Sequence, residues 1–239
     1  MAQWIYGKNV VKQILTDHDR TVRLMLAVKD PEIEKLAAAA NVRVDRCDRK
    51  MLTKLTGTDR HQGVAAEIRP YQTYTVDELI RNVSDRGLLI LLDELEDPHN
   101  LGAVLRTADA VGADGVIFKK TNAAGLTPTV AKVSAGAIDT VKCAAVTNLA
   151  RTLDELKKKG WWVVGADMDG QDYRSLKYDF NTVLVIGNEG KGMSRLVEEK
   201  CDYIISLPME GKISSLNASV SAGILMYHIH SCRFPLAAG

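Results

Sequence analysis

Cysteine is scarce in this 239-residue chain and poorly placed for joint work: Cys47, Cys143, Cys201 and Cys232 lie far apart with no CxxC pair. Neither a zinc site nor a disulfide framework follows from such spacing. The five histidines are also scattered; His228 and His230 are two apart in a helical pattern and face different ways, so no metal is expected. No apolar run approaches the ~20 residues that span a bilayer. The opening MAQWIYGKNVVK has no unbroken apolar core and no small-residue cleavage site, so a secretory signal is not expected. These readings point to a soluble, cytoplasmic protein, in which the Asn-x-Ser matches at Asn82 and Asn217 are chance. Charge of one sign is missing too, since 31 Lys+Arg stand against 30 Asp+Glu. No internal repeat or low-complexity tract appears.

What is present reads as an α/β protein. Strand-like runs at Val22–Val28, Val42–Asp45 and Gly63–Ile68 enclose helical patterns over Glu32–Ala40, which opens on Asp30-Pro31, and Arg49–Leu55. Pro70–Thr75 is polar and aperiodic and predicts a linker, taken as 71–84, between a small domain over 1–70 and a large one over 85–239. In the large domain, apolar runs recur at Leu88–Leu92, Val116–Phe118, Val141–Val146, Trp161–Val164, Val183–Ile186 and Tyr203–Leu207. Near-continuous apolar strands alternating with helices predict a parallel sheet covered on both faces. Between them, Leu101, Leu105, Ala108 and Val111 form an apolar stripe stopped by Gly112, and Asn148 caps a helix running to Lys159. A long apolar helix is expected from Leu216 to about Arg233.

Divided at this boundary, the charge is no longer neutral. Residues 1–70 hold 13 Lys+Arg and 9 Asp+Glu, a net +4, and residues 71–239 hold 18 and 21, a net −3. A basic small domain beside a slightly acidic one suits an anion-binding module attached to a core with other work.

Sites in parallel sheets form beyond the carboxyl ends of the strands. Three polar, glycine-bearing segments leave strands there: DELEDPHNLGA after Leu92 with Arg106 in the following helix, GNEGKGMS after Ile186, and PMEGKISSLNAS after Leu207. Each also has a plain structural reading. Asn100 would cap the first helix with Arg106 on a solvated face, the second segment would be a simple phosphate loop, and Ser214 or Ser215 would cap the last helix. Walker and GxGxxG spacings are absent, which argues against a nicotinamide-dependent oxidoreductase, and no GxSxG elbow marks a nucleophilic serine. The residues alone imply a nucleotide-like ligand near glycine-rich loops.

Taken together, N(x5)R, GNEGKGMS and SLPMEGKISSLNASVSAG resemble the three signature motifs of the SpoU (TrmH-like) family of RNA 2′-O-ribose methyltransferases. The resemblance covers about Leu88–Phe234 and implies a SPOUT-superfamily domain with a deep trefoil knot that binds S-adenosylmethionine. The first domain is similar to a ribosomal-protein-like substrate-binding module of the branch that methylates a guanosine of large-subunit ribosomal RNA. The resemblance implies catalytic roles for Arg106, Asn100, Glu189, Ser215 and Asn217. It places the cofactor against Ile186, Gly187, Leu207, Gly211, Leu216 and Ala218, mostly through backbone groups. Lys8, Arg20, Arg23, Arg46, Arg49, Arg60 and His61 are candidate RNA contacts, with Arg60 and His61 foremost and Arg23 and Lys8 beside them. A homodimer through the large domain is expected. The alternatives are transfer RNA as substrate and a non-catalytic RNA-binding protein acting in ribosome assembly.

Overall fold

The computed structural model describes residues 3–16, 20–83, 85–121, 123–212 and 215–235. The chain divides into two compact units, Met1–Tyr71 and Gln72–Gly239.

The first unit runs β1 (Gln3–Tyr6), α1 (Lys8–Thr16), β2 (Thr21–Leu26), α2 (Pro31–Ala39), β3 (Arg43–Arg46), α3 (Arg49–Thr56) and β4 (Val64–Ile68). Its sheet has the order β1-β4-β2-β3, with β2 and β3 parallel and the β4 pairings antiparallel. Pro31 occupies the first turn of α2, where its missing N–H costs nothing, and the Asp30 carboxylate caps that turn by accepting from Ile33 N at 3.3 Å. Buried Val11, Ile14 and Leu15 on α1, Leu24 and Leu26 on β2, and Ile33 on α2 supply the core. Neither β1 nor α1 was anticipated from the sequence.

The second unit opens with α4 (Val76–Ile80), a short helix inside the segment expected to be a linker. A capping box explains it: Thr75 Oγ1 accepts from Glu78 N, and the Glu78 carboxylate accepts from Thr75 N. Then follow β5 (Leu88–Leu92), α5 (Pro98–Ala110), β6 (Gly115–Lys119), α6 (Pro128–Val133), α7 (Ala137–Thr140), β7 (Cys143–Val146) and α8 (Leu149–Lys157). The chain ends in β8 (Trp162–Asp172), β9 (Thr182–Ile186), α9 (Arg195–Glu198), β10 (Tyr203–Ser206) and α10 (Ala218–Arg233). All six strands are parallel, in the order β10-β8-β9-β5-β6-β7. Every residue of the central strands β5 and β9 is buried, as a two-sided sheet requires. Asn148 caps α8, accepting from Arg151 N at 3.0 Å. Among the described residues no helix is long and apolar enough to cross a membrane.

Three boundaries differ from expectation for physical reasons. Helix α5 starts at Pro98 with Asp97 as its cap, so Asn100 lies inside the first turn and is buried. Helix α10 starts at Ala218, two residues after Leu216, because the Asn217 side chain takes Ser219 N and Val220 N. Ser215 does not cap it, and Ser214 lies outside the described residues. Strand β8 continues well past Val164: Gly165 pairs with Ile204, but Ile205 pairs with Gln171, so residues 166–170 bow away from β10.

Candidate active site

The carboxyl ends of β5, β9 and β10 converge because the strands are parallel and sit within one sheet. The loop after β5 and the loop after β9 are stitched together. Asp93, buried at the end of β5, donates its N–H to Ile186 O at 2.9 Å, and its carboxylate accepts from Ser194 N at 2.7 Å. In return, Asn188 Nδ2 donates to Glu94 O at 3.0 Å. The Asn188 side chain also accepts from Gly190 N at 2.9 Å and Lys191 N at 3.3 Å, and its backbone exchanges two 2.9 Å bonds with Gly192. Sequence reasoning gave Asp93 and Asn188 no role, although a polar residue directly after an apolar strand is a usable signal. The turn so formed is close-packed: a Cβ on Gly187 would lie 2.4 Å from Gly192 C, and Gly192 itself has φ +68°.

Glu189 projects from this turn toward two helix starts. Its Oε1 accepts from Asn100 Nδ2 at 2.7 Å, from Ala218 N at 3.3 Å, and from Asn217 Nδ2. Asn217 Nδ2 also donates to Asn100 Oδ1 at 3.0 Å, which closes a triangle of side chains. One residue from each of the three polar segments therefore meets the others, across sequence separations of 89 and 117 residues. The Asn217 amide is fully used, with its oxygen capping α10 and its nitrogen serving both neighbours. A carboxylate accepting from the first N–H of α10 also faces the positive end of that helix.

Beside the triangle lies a cleft of about 650 Å³. Ile186, Gly187, Glu189, Leu207, Leu216 and Ala218 all line it, and Ser215 stands at the same wall. Gly211 is exposed and outside the lining, as is Arg106, which stands on the exposed side of α5. Among the described residues no hydrogen bond or ion pair is made by the Arg106 guanidinium. Nor do three His, Cys, Asp or Glu side chains gather as metal ligands among them.

The first unit presents its expected RNA contacts unevenly. Arg60 is exposed. Lys8 is held by Asp30 at 2.9 Å, and that pairing draws the Asp30 pKa down. Arg23 is held by Glu67 at 2.5 Å and lies over the Trp4 ring, while Arg46 pairs with Glu34 at 2.7 Å. His61 is a correction: it is only 1% exposed and cannot meet RNA from the surface. Its Nδ1 accepts from Gly63 N at 3.0 Å and its Nε2 lies 3.2 Å from Thr53 Oγ1, so the ring ties α3 to the turn before β4. His61→Ala is expected to cost about 1–3 kcal/mol by leaving the buried Gly63 N–H unpaired, read as a lower urea midpoint. An unchanged midpoint with weakened RNA binding would restore the contact role.

Known proteins share both units. A model of the SpoU rRNA methylase family matches residues 87–227, and a model of the RNA 2′-O ribose methyltransferase substrate-binding domain matches residues 4–74. A TrmH-family tRNA/rRNA methyltransferase of Bacillus subtilis (strain 168) is 46% identical, covering 98% of this chain and 97% of that protein. A Staphylococcus aureus (strain COL) protein of the same description is 44% identical, over 96% of each chain. Among solved structures, the SpoU methyltransferase AviRb from Streptomyces viridochromogenes in complex with the cofactor AdoMet matches with TM-score 0.68 and 25% identity, over 98% of this chain and 91% of that one. The A. aeolicus TrmH/SpoU tRNA modifying enzyme matches with TM-score 0.57 and 30% identity, over 62% and 76%. With both family models matched in chain order and the fold shared with solved members, this chain belongs to the SpoU family of RNA methyltransferases.

Proposed function

We propose that this protein methylates the ribose 2′-hydroxyl of a guanosine in ribosomal RNA, with S-adenosylmethionine as donor. The observation that carries the reading is the Asn100–Glu189–Asn217 triangle at the edge of a glycine-walled cleft. At about 650 Å³ the cleft is within the ~300–1,000 Å³ of small-molecule sites. Its walls fit a cofactor held by backbone groups, since Gly187, Gly190 and Gly192 line it without side chains and Leu207, Leu216 and Ala218 offer apolar contact. S-adenosylmethionine, when bound, supplies an electrophilic methyl group on a sulfonium. The protein's part is to orient the ribose in line and to favour loss of the hydroxyl proton.

Arg106 is permanently charged and serves as a phosphate fork and a stabiliser of developing alkoxide charge, leaving a phosphate oxygen to receive the proton. Asn100, Glu189, Ser215 and Asn217 position it and the ribose. A deep trefoil knot of the segment following β8 belongs to this reading. The sheet order, with β9 between β8 and β5, and the return of α10 to the loop after β5 support it. The first unit, ribosomal-protein-like and of net charge +4, docks the RNA through Arg60, Arg23 and Lys8. A homodimer in the cytoplasm completes the proposal: Val220, Ile224 and Tyr227 form one exposed apolar face of α10, suited to a second copy.

The test maps 2′-O-methylation in ribosomal and transfer RNA from cells with and without this gene. Loss at one ribosomal guanosine is the expected result. Loss confined to transfer RNA, the other substrate class in the tRNA/rRNA description of the relatives, moves the substrate. Loss in neither RNA sinks the catalytic reading.

A further inference from the structure

We propose that Asp167 is a ribose clamp, its carboxylate accepting hydrogen bonds from the ribose hydroxyls of the nucleoside in the cleft. This rests on the reading that the cleft holds S-adenosylmethionine. In the sequence, Asp167 lies beyond the apolar run that ends at Val164, with no local pattern to tie it to the glycine-bearing segments. The register brings it in. Ala166 pairs with Ile186, so Asp167 emerges beside Gly187 at the carboxyl end of the sheet. There β8 bows away from β10, and residues 166–169 become one rim of the cleft.

The carboxylate is half-buried, and it is nearly unspent. Among the described residues its one bond is from Asp169 N to Oδ1 at 3.3 Å, and it makes no ion pair. Oδ2 is turned to the glycine turn: a Cβ built on Gly192 would lie 3.2 Å from it. Gly192, with φ +68°, keeps that space open. A half-buried carboxylate with free acceptor capacity calls for N–H or O–H donors. A vicinal diol matches its two oxygens. Nucleotide-binding parallel sheets solve the same problem with an acidic side chain near the strand that bears the glycine-rich loop. Here β9 bears the glycine turn and β8 is its hydrogen-bonded neighbour.

The experiment measures binding of S-adenosylhomocysteine and its 2′-deoxy and 3′-deoxy analogues by calorimetry, in the native protein, Asp167→Asn and Asp167→Ala. Removing a clamped hydroxyl should weaken binding to the native protein by about tenfold or more, as for a hydrogen bond to a charged group. In Asp167→Ala the parent compound should bind correspondingly more weakly and the deoxy penalty should vanish. A penalty that persists in Asp167→Ala overturns the clamp, whereas Asp167→Asn, which keeps one acceptor oxygen, should retain part of it. So does a variant that loses affinity for S-adenosylmethionine but not for S-adenosylhomocysteine, because the carboxylate would then answer the sulfonium charge. Hydrogen exchange separates the two levels: S-adenosylhomocysteine should protect amides at 187–192 and 205–209. Protection elsewhere would remove the cleft reading itself, whatever Asp167 does.

Discussion

Arg106→Lys should lower methyl transfer by about 10²–10³-fold, the loss typical of removing one donor from a developing oxyanion. Binding of S-adenosylmethionine should be unchanged, because Arg106 is exposed on α5 and stands outside the cleft lining. The substitution keeps the charge and removes the planar fork. If only long-range attraction for RNA mattered, lysine would suffice and the variant would work at nearly the native rate. If a phosphate and an incipient alkoxide must be met together, a point charge on a flexible stem cannot replace two fixed parallel donors. Single-turnover kinetics with RNA, alongside calorimetry with the cofactor, separate the cases. Near-native turnover would end the proposed role. So would loss of cofactor affinity equal to the loss of rate.

The strands were legible because two-sided burial writes itself into sequence: β5 is five consecutive apolar residues, all buried. The meeting of Asn100, Glu189 and Asn217 was reached only through resemblance. No local pattern relates positions 89 and 117 residues apart. Cap positions stay open in the sequence where several cap-forming residues compete. In Asp97-Pro98-His99-Asn100 the proline settles the matter, since it is at home in the first turn and makes the residue before it the cap. The helix α1 carries buried Val11, Ile14 and Leu15 at helical spacing, a pattern present in the sequence but only nine residues long and without a capping signal at its start. His61 shows the opposite limit. Its sequence setting, between Arg60 and Gln62, looks like surface, and only the folded turn reveals that both ring nitrogens face protein partners. Asp167 depends on a register shift between β8 and β10 that no single-strand pattern encodes.

Glu189→Ala is expected to lower turnover by about 10²-fold, on the scale of a lost active-site hydrogen-bond donor or acceptor, with a smaller loss of stability. Its Oε1 is the shared acceptor for Asn100 Nδ2, Asn217 Nδ2 and Ala218 N. Alanine leaves all three donors without it at once. Water can reach part of this region, because Glu189 is exposed as a residue, so stability should fall by only about 1 kcal/mol. For a chain of this size that is roughly 2–4 °C in melting temperature. Geometry suffers more than stability. Asn100 and Asn217 lose the group that orients them, and α10 loses a negative charge at its first N–H, worth about 0.3–1 kcal/mol. Glu189→Gln separates orientation from charge, since its carbonyl oxygen can still accept from all three donors. Recovery of most of the turnover by Gln would make Glu189 a geometric anchor. Turnover as low as in Glu189→Ala would make the carboxylate charge the essential feature, through the helix terminus and the charge-assisted bonds of the two asparagines. Full activity in Glu189→Ala would show the triangle to be scaffolding that the reaction does not use.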